Sequence, residues 1–511
     1  MVDSVSSSSS SSNSMRVGGL ASGIDTDSMV EQLMNAERQK LYKMQQEETK
    51  LTWQQDALRE VNASLKSFDS IVSDMKLTTA YNVKSTSSTS SAVTATAASN
   101  ASNGSYSIQV NKLAKAAIVL SEKADTKTFD PDAAINGQTF ADNPKVTADS
   151  TFSLSTYDEN GELLPPKTFN VKTTDSLNSI LKKITDDPDL GIRAFYDKQS
   201  GQVVMEKKET GKNSSTDQEI VFDEGSFLNT FLGLDPSAKQ GAQDAEFTYN
   251  GALTISSNKN SYTLSGVSFT FNQTTESAIN ITVDNDVDAA YDKIKEFVDS
   301  YNKIVEDVNT KLSEKSYRDY PPLTDEQKKE MSEDEIKLWE EKAKSGLLKG
   351  ETALQSGIYS LRSAWYNKVE NGGEYTQLAQ IGITTSKNYL ENGKLVIDED
   401  ELKTALRENP EGVYKLFSNN VEGDGRGIVN RIEDSLDKTM DNITERAGNT
   451  DKTNQQFTLG KRLNEIKDRM DDFQDHLKQV EDRYWRQFSA MESAISQLNQ
   501  QSSYLMSNFG G

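Results

Sequence analysis

Residues 460–505 read GKRLNEIKDRMDDFQDHLKQVEDRYWRQFSAMESAISQLNQQSSYL, and the apolar side chains in this stretch return every seven residues. Leu463, Met470, Leu477, Tyr484, Met491, Leu498 and Leu505 form one row; Ile466, Phe473, Val480, Gln487, Ala494 and Gln501 form the alternate one. A 3.5-residue period makes a narrow stripe along a helix, the seam of a coiled coil, and this one outlasts the three to four or so repeats that establish it. One helix alone cannot keep such a stripe from water, so a partner is required.

The other end of the chain offers one. Leu51, Leu58, Leu65 and Val72 fall in one row and Val61, Phe68 and Met75 in its neighbour, with Gln54 the interruption. Ser28 and Glu31 stand at capping-box spacing. The pattern predicts a helix from about Asp25 to Met75, roughly 75 Å long at 1.5 Å per residue. Ahead of it, a serine run from Ser6 to Ser12 has nothing to bury and is expected to be disordered, with Met15 a second possible start.

Between these helices the period changes to two, from Thr78 to about Val283. Tyr106, Ile108 and Val110 alternate with polar residues, as do Phe152 and Leu154, Phe169 and Val171, Phe247 and Tyr249, Leu253 and Ile255. Val267, Phe269 and Phe271, then Ile279, Ile281 and Val283, complete the set. Asn103-Gly104, Asn136-Gly137, Asn160-Gly161 and Asn250-Gly251 are expected to supply hairpin turns. Leu177, Ile180, Leu181 and Ile184 mark a short helix within this region. Helical spacing returns at Asp286: Val287, Ile294, Tyr301 and Val308 in one row, Ala290, Phe297 and Ile304 in the next. Two capping boxes follow, Thr324 with Gln327 and Ser332 with Glu335. Three further helical patterns carry Leu354, Ile358, Leu361 and Trp365, then Leu402, Leu406 and Leu416, then Ile428, Ile432, Leu436 and Ile443, with a small hairpin at Asn392-Gly393. The fold class is α+β and multidomain: terminal coiled-coil helices, a helical core domain and inserted β-rich domains.

Composition narrows the chemistry. The 511 residues suffice for three to four domains of about 150. Asp and Glu number 79 against 56 Lys and Arg, a net charge of -23, which repels nucleic-acid phosphates and anionic lipid surfaces. Without cysteine there is no disulfide, thiolate metal site or Cys nucleophile, and one histidine, His476, allows no His-pair metal centre. No apolar run reaches the length of a membrane span, and no basic-then-apolar signal segment opens the chain. Gly18 and Gly23 fit the frame of a phosphate loop, but Ile24-Asp25 stands where Lys and Ser or Thr are needed. Asp284, Asp286 and Asp288 open like a calcium loop, yet Ala289 replaces its glycine and Lys295 its closing glutamate; they read as helix-start charges, as do Asp398 to Glu401. Gly423, Gly425 and Gly427 read as a turn and His476 as a solvated helix residue. The sequence calls for no enzyme, cofactor or metal.

Gly19-Leu20-Ala21-Ser22-Gly23-Ile24-Asp25, with Met29-Val30 and Leu33-Met34 after it, resembles the opening of flagellar filament cap proteins, also called hook-associated protein 2. The resemblance continues through Trp53-Gln54, Arg59-Glu60-Val61-Asn62, Tyr291-Asp292-Lys293-Ile294, Leu348-Lys349-Gly350-Glu351, Gly393-Lys394-Leu395 and Ser502-Ser503-Tyr504-Leu505. It implies a protein exported through the hollow flagellum without a cleaved signal peptide, seated at the filament tip, where it retains flagellin and promotes its folding and insertion. It also implies a ring-like homo-oligomer, a pentamer, whose partners are flagellin, the hook-associated junction proteins and a flagellar export chaperone. Host surface glycans or proteins are candidates for the part that matches nothing, about Lys123 to Gln243; nucleic acid and membrane are not. A structural axial or junction protein and a tip adhesin are the alternatives.

The expected domains are a disordered extension, 1–15; a terminal leg, 16–43 with 484–511; a helical core, 44–77 with 286–483; a β-rich plate, 78–122 with 244–285; and an outer β-rich domain, 123–243. Core and coiled-coil packing is assigned to Leu51, Leu58, Val61, Leu65, Phe68, Leu463, Met470, Phe473, Leu477, Val480 and Tyr484. Seating at the filament tip is assigned to Leu20, Ile24, Met29, Leu33, Met491, Leu498, Tyr504 and Leu505.

Overall fold

The computed structural model describes residues 23 and 25–509. The serine run, Leu20 and Ile24 lie outside them. The chain divides into two compact units, Met1–Ala80 with Tyr291–Gly511, and Tyr81–Ala290.

In the first unit the N-terminal helix runs unbroken over Thr26–Asp74 and the C-terminal helix over Thr458–Phe509. Its first turn corrects the capping expectation. The cap is Asp25, whose Oδ1 accepts from the Ser28 backbone N–H at 3.0 Å, so Ser28 and Glu31 fall inside the helix. A carboxylate there both satisfies an orphan donor and opposes the helix dipole. The two helices are antiparallel: Arg462 pairs with Glu47 at 2.7 Å, Lys40 Nζ lies 4.9 Å from the Phe473 ring centre, and Tyr484 Oη meets Glu37 Oε1 at 3.1 Å.

Gln54 does interrupt the seam, and the structure shows what replaces it. Gln55 is buried beside it, and its amide donates to the Ala447 carbonyl at 3.0 Å; Arg59 Nε donates to the same oxygen at 3.1 Å. Ala447 ends the helix Ile428–Ala447, where Gly448 turns the chain at φ +69°. Its carbonyl has no partner within the helix, and these two side chains supply one. Past this clamp, Leu58, Val61, Leu65, Phe68 and Val72 are all buried. Phe68 stacks on Phe297 of the helix Val287–Ser313, and Phe297 meets Trp365 and Phe417. Both capping boxes form as expected, at Thr324 and Ser332. The pattern through Leu402, Leu406 and Leu416 is two helices, Glu399–Glu408 and Pro410–Ser418, because Pro410 cannot continue the first and Asn409 caps the second.

A carboxylate cluster is expected to make this unit sensitive to pH. Burial, then Asp437 and Glu433, pushes Asp69 above the ordinary aspartate range, with Lys76 partly opposing. Burial and Glu433 likewise raise Asp437. Asp69 Oδ1 is buried without a hydrogen bond. An acid whose folded-state pKa is raised holds its proton better when folded, so it detracts from stability above that pKa. The melting temperature should therefore rise as pH falls through the raised values towards the ordinary aspartate value. Asp69→Asn should flatten that segment and raise the melting temperature near neutrality; an unchanged pH profile by thermal melting would contradict this.

The second unit is β-rich and holds two cores. One gathers Val93, Tyr106, Ile108, Val110, Phe247, Phe269 and Val283 among others. It lies within a five-stranded antiparallel sheet, ordered Lys84–Ser88, Ile279–Asn285, Gly104–Lys112, Ala245–Tyr249, Leu253–Ser257, and the three-stranded sheet Ser261–Leu264, Val267–Phe271, Val93–Ala97. The other core spans Val119 to Leu234, and the helix Leu177–Asp186 buries Leu177, Ile180, Leu181 and Ile184 in it as the spacing predicts. Asn250-Gly251 turns the hairpin of Ala245–Tyr249 and Leu253–Ser257, both residues at positive φ. Asn103-Gly104 does not turn a hairpin: Gly104 begins a strand that pairs with Ile279–Asn285 and Ala245–Tyr249. Asn136-Gly137 lies outside any paired strand. Ile118–Leu120, placed with the plate by the sequence, pairs instead with Gln202–Lys207 and sends Val119 into the second core. A fragment of residues 81–290 should fold alone with a cooperative thermal transition; a featureless circular-dichroism melt would refute it.

Candidate functional site: the free end of the terminal helices

The assigned packing residues separate along the hairpin. Leu463, Leu477 and Val480 are buried against the N-terminal helix, and Met470, Phe473 and Tyr484 are half-buried at its edge. On the C-terminal helix no described residue beyond Val480 is fully buried. The N-terminal helix still buries Thr26, Val30 and Met34 there.

Two residues assigned to tip seating lie on the outer face of this helix. Met29 and Leu33 are exposed, 42% and 39%, and the residues that face inward are their successors, Val30 and Met34. The signal was present: Val30, Glu37, Met44 and Leu51 continue the heptad row backwards from Leu58. Glu37 hides it, being a carboxylate in an apolar row, yet its partner Tyr484 occupies a seam position on the other helix.

Past the Glu37–Tyr484 contact the two helices are described over different lengths. Advancing both helices by eleven residues from that contact sets Thr26, the first residue of its helix, opposite Ile495. The C-terminal helix continues to Phe509, some 14 residues or about 21 Å further. Met491 is half-buried before this point. Beyond it Leu498 is 62% exposed, Tyr504 70%, Leu505 53% and Met506 75%. Exposed apolar side chains grouped in this way are the kind of surface that interaction sites use. Leu20 and Ile24 lie outside the described residues, so their part in it is not assigned. The helices are continuous through residues 43 and 484, so the expected leg and core share their helices.

Among the described residues, no group of His, Cys, Asp or Glu is arranged to hold a metal, and no helix is long and apolar enough to cross a membrane. His476 is exposed on the C-terminal helix beside Phe473. Asp286 accepts from the Ala289 N–H at 3.0 Å and Asp398 from Glu401 at 3.1 Å, helix-start roles as the sequence suggests.

Residues 22–117 match the family model described as flagellar hook-associated protein 2 N-terminus, and residues 242–500 match the flagellar hook-associated protein 2 C-terminus. The chain is 38% identical over 532 residues to flagellar hook-associated protein 2 of Halalkalibacterium halodurans, covering 97% of this chain and 100% of that one. It is 26% identical over 512 residues to the protein of the same name from Escherichia coli K12, covering 96% and 97%. The crystal structure of the D1-D2-D3 domains of the flagellar cap protein FliD from Escherichia coli shares the fold, with a TM-score of 0.54 at 23% identity, over 76% of this chain and 96% of that one. The relatives are structural flagellar proteins and not enzymes. Residues 118–241, which hold most of the second β core, lie between the two matched regions. With both regions matched in order and a full-length relative at 38% identity, the chain belongs to the flagellar hook-associated protein 2 family.

Proposed function

We propose that this protein caps the distal end of the growing flagellar filament, where it retains exported flagellin and promotes its folding and polymerisation. The observation that carries this reading is the C-terminal end of the terminal hairpin, where Leu498, Leu505 and Met506 are exposed apolar side chains. Such a surface is satisfied by seating on helices at the filament tip. Exposed apolar area of this modest size gives reversible attachment, which suits a cap that shifts each time a subunit enters beneath it.

In this reading the protein acts as a ring of copies, leaves the cell by the flagellar export route with an export chaperone, and first meets the hook-associated junction proteins. The outer β core, outside both matched regions, is where any host glycan or protein would be met. Deleting the gene should leave cells that spill unpolymerised flagellin into the medium and build no long filaments. Normal filaments in the deletion strain would contradict the proposal.

A further inference from the structure

The C-terminal helix changes character after Glu492. Residues 493–511 contain no charged residue, although charged residues make up 26% of the chain and about five would be expected in nineteen. The same helix before this point is dense with them: Lys461, Arg462, Glu465, Lys467, Asp468 and Arg469 fall within nine residues. From Gln497 to Met506, ten consecutive residues are exposed. Ten residues are nearly three turns, so exposed side chains fall on every face of the helix. Water-facing helix surfaces elsewhere in this protein carry charge, as in Glu333–Lys344.

A helix resting in a groove needs one uncharged face and leaves the other in solvent, where charge is harmless and supports solubility. A helix surrounded by other molecules needs every face free of charge, because interface cores exclude charged side chains. We infer that residues 497–506 are enclosed on all sides in the assembled state, within helices of the filament-end subunits that present apolar and uncharged polar side chains. This rests on the seating proposed above and specifies its geometry. The absence of charge also favours an occupant that is replaced repeatedly: paired charges fix one register, whereas Gln, Ser and Leu surfaces permit one to slide past another.

The test replaces each position from Gln497 to Ser503 in turn by Glu and, separately, by Lys in the full chain, and scores filament length and binding of the purified protein to filament ends. Seven consecutive positions sample the whole circumference. Gln479→Glu, exposed among the charges of the same helix, is the control, and thermal melting confirms that each variant is folded. Enclosure predicts at least a tenfold loss of binding at every position with either sign. Losses confined to every third or fourth position would overturn enclosure in favour of a groove. Tolerance of one sign would overturn the uncharged partner. A change in the protein's own oligomeric state without filaments would assign the surface to a second copy and overturn the occupant named here. Tolerance everywhere, including Leu498→Glu, would remove the seating reading itself.

Discussion

Leu498→Asp/Leu505→Asp should lower occupancy of the filament tip by about a hundredfold or more while leaving the melting of the protein unchanged. Both side chains are exposed in the isolated chain, so neither substitution removes a contact on which the fold depends. In the seated state each leucine would contribute roughly 1.5–3 kcal/mol by leaving water. An aspartate forfeits that and adds the cost of desolvating a carboxylate. At about 1.4 kcal/mol per factor of ten, the pair together reach a hundredfold at the lower bound. The separation of the two readouts is the point of the variant. Filaments of normal length, or a collapsed melting transition, would each refute the division between a packed seam and a free end.

The second large effect lies in the outer β core. Lys207 and Glu219 are buried there, Glu219 completely, with Nζ 3.6 Å from Oε2. Lys207 also donates to the Tyr157 carbonyl at 2.8 Å, and Glu219 Oε1 accepts the backbone N–H groups of Asn213 and Ser214. The carboxylate thus organises a turn while the ammonium neutralises it and holds a neighbouring loop. Removing one member of a buried pair strands the other charge and costs about 3–5 kcal/mol. Lys207→Met should lower the stability of the β-rich unit by that amount, measured by denaturant unfolding of the full chain. Lys207→Met/Glu219→Gln should recover a substantial part, because no charge is then left without its counter-ion. Equal losses in the single and double variants would show that the ion pair is not what matters at this site.

The helical unit was legible from sequence because its information is the identity of apolar residues at fixed spacing. Leu51 through Val72 and Leu463 through Val480 needed nothing further. What escaped was polar and long-range. Gln55 looks like a defect one position off the row until Ala447, 392 residues away, is seen to need its amide. Glu37 likewise hides the inward turn of Val30 and Met34 until Tyr484 is beside it. The strand Lys84–Ser88 is polar throughout and shows no alternation. It exists because Ile279–Asn285 offers it a ladder and because Thr86 and Ser88 hydroxyls bond the carbonyls of Ala95 and Val93. Ile192–Asp197 and Gln202–Lys207 did carry a readable alternation, Ile192 and Ala194, Val203 and Met205, around the turn at Gly201. That glycine is at φ +72°, and an added Cβ would meet the Ala124 carbonyl oxygen at 2.6 Å. At the C-terminal end, Leu498 and Leu505 were read from the heptad itself and Tyr504 from the family resemblance; Met29 and Leu33, like them, are exposed in the isolated chain.

The claim that the overhanging end of the C-terminal helix is completed only at the filament is tested most directly by amide hydrogen exchange. The measurement compares residues 497–506 in the free protein and in the protein bound to filament ends. An exposed helix end should open readily, so these amides should exchange fast in the free protein, while those around Leu463 to Val480 exchange slowly. Binding should slow the first set by orders of magnitude and leave the second unchanged. Protection of residues 497–506 already present in the free protein, or no gain on binding, would contradict the account.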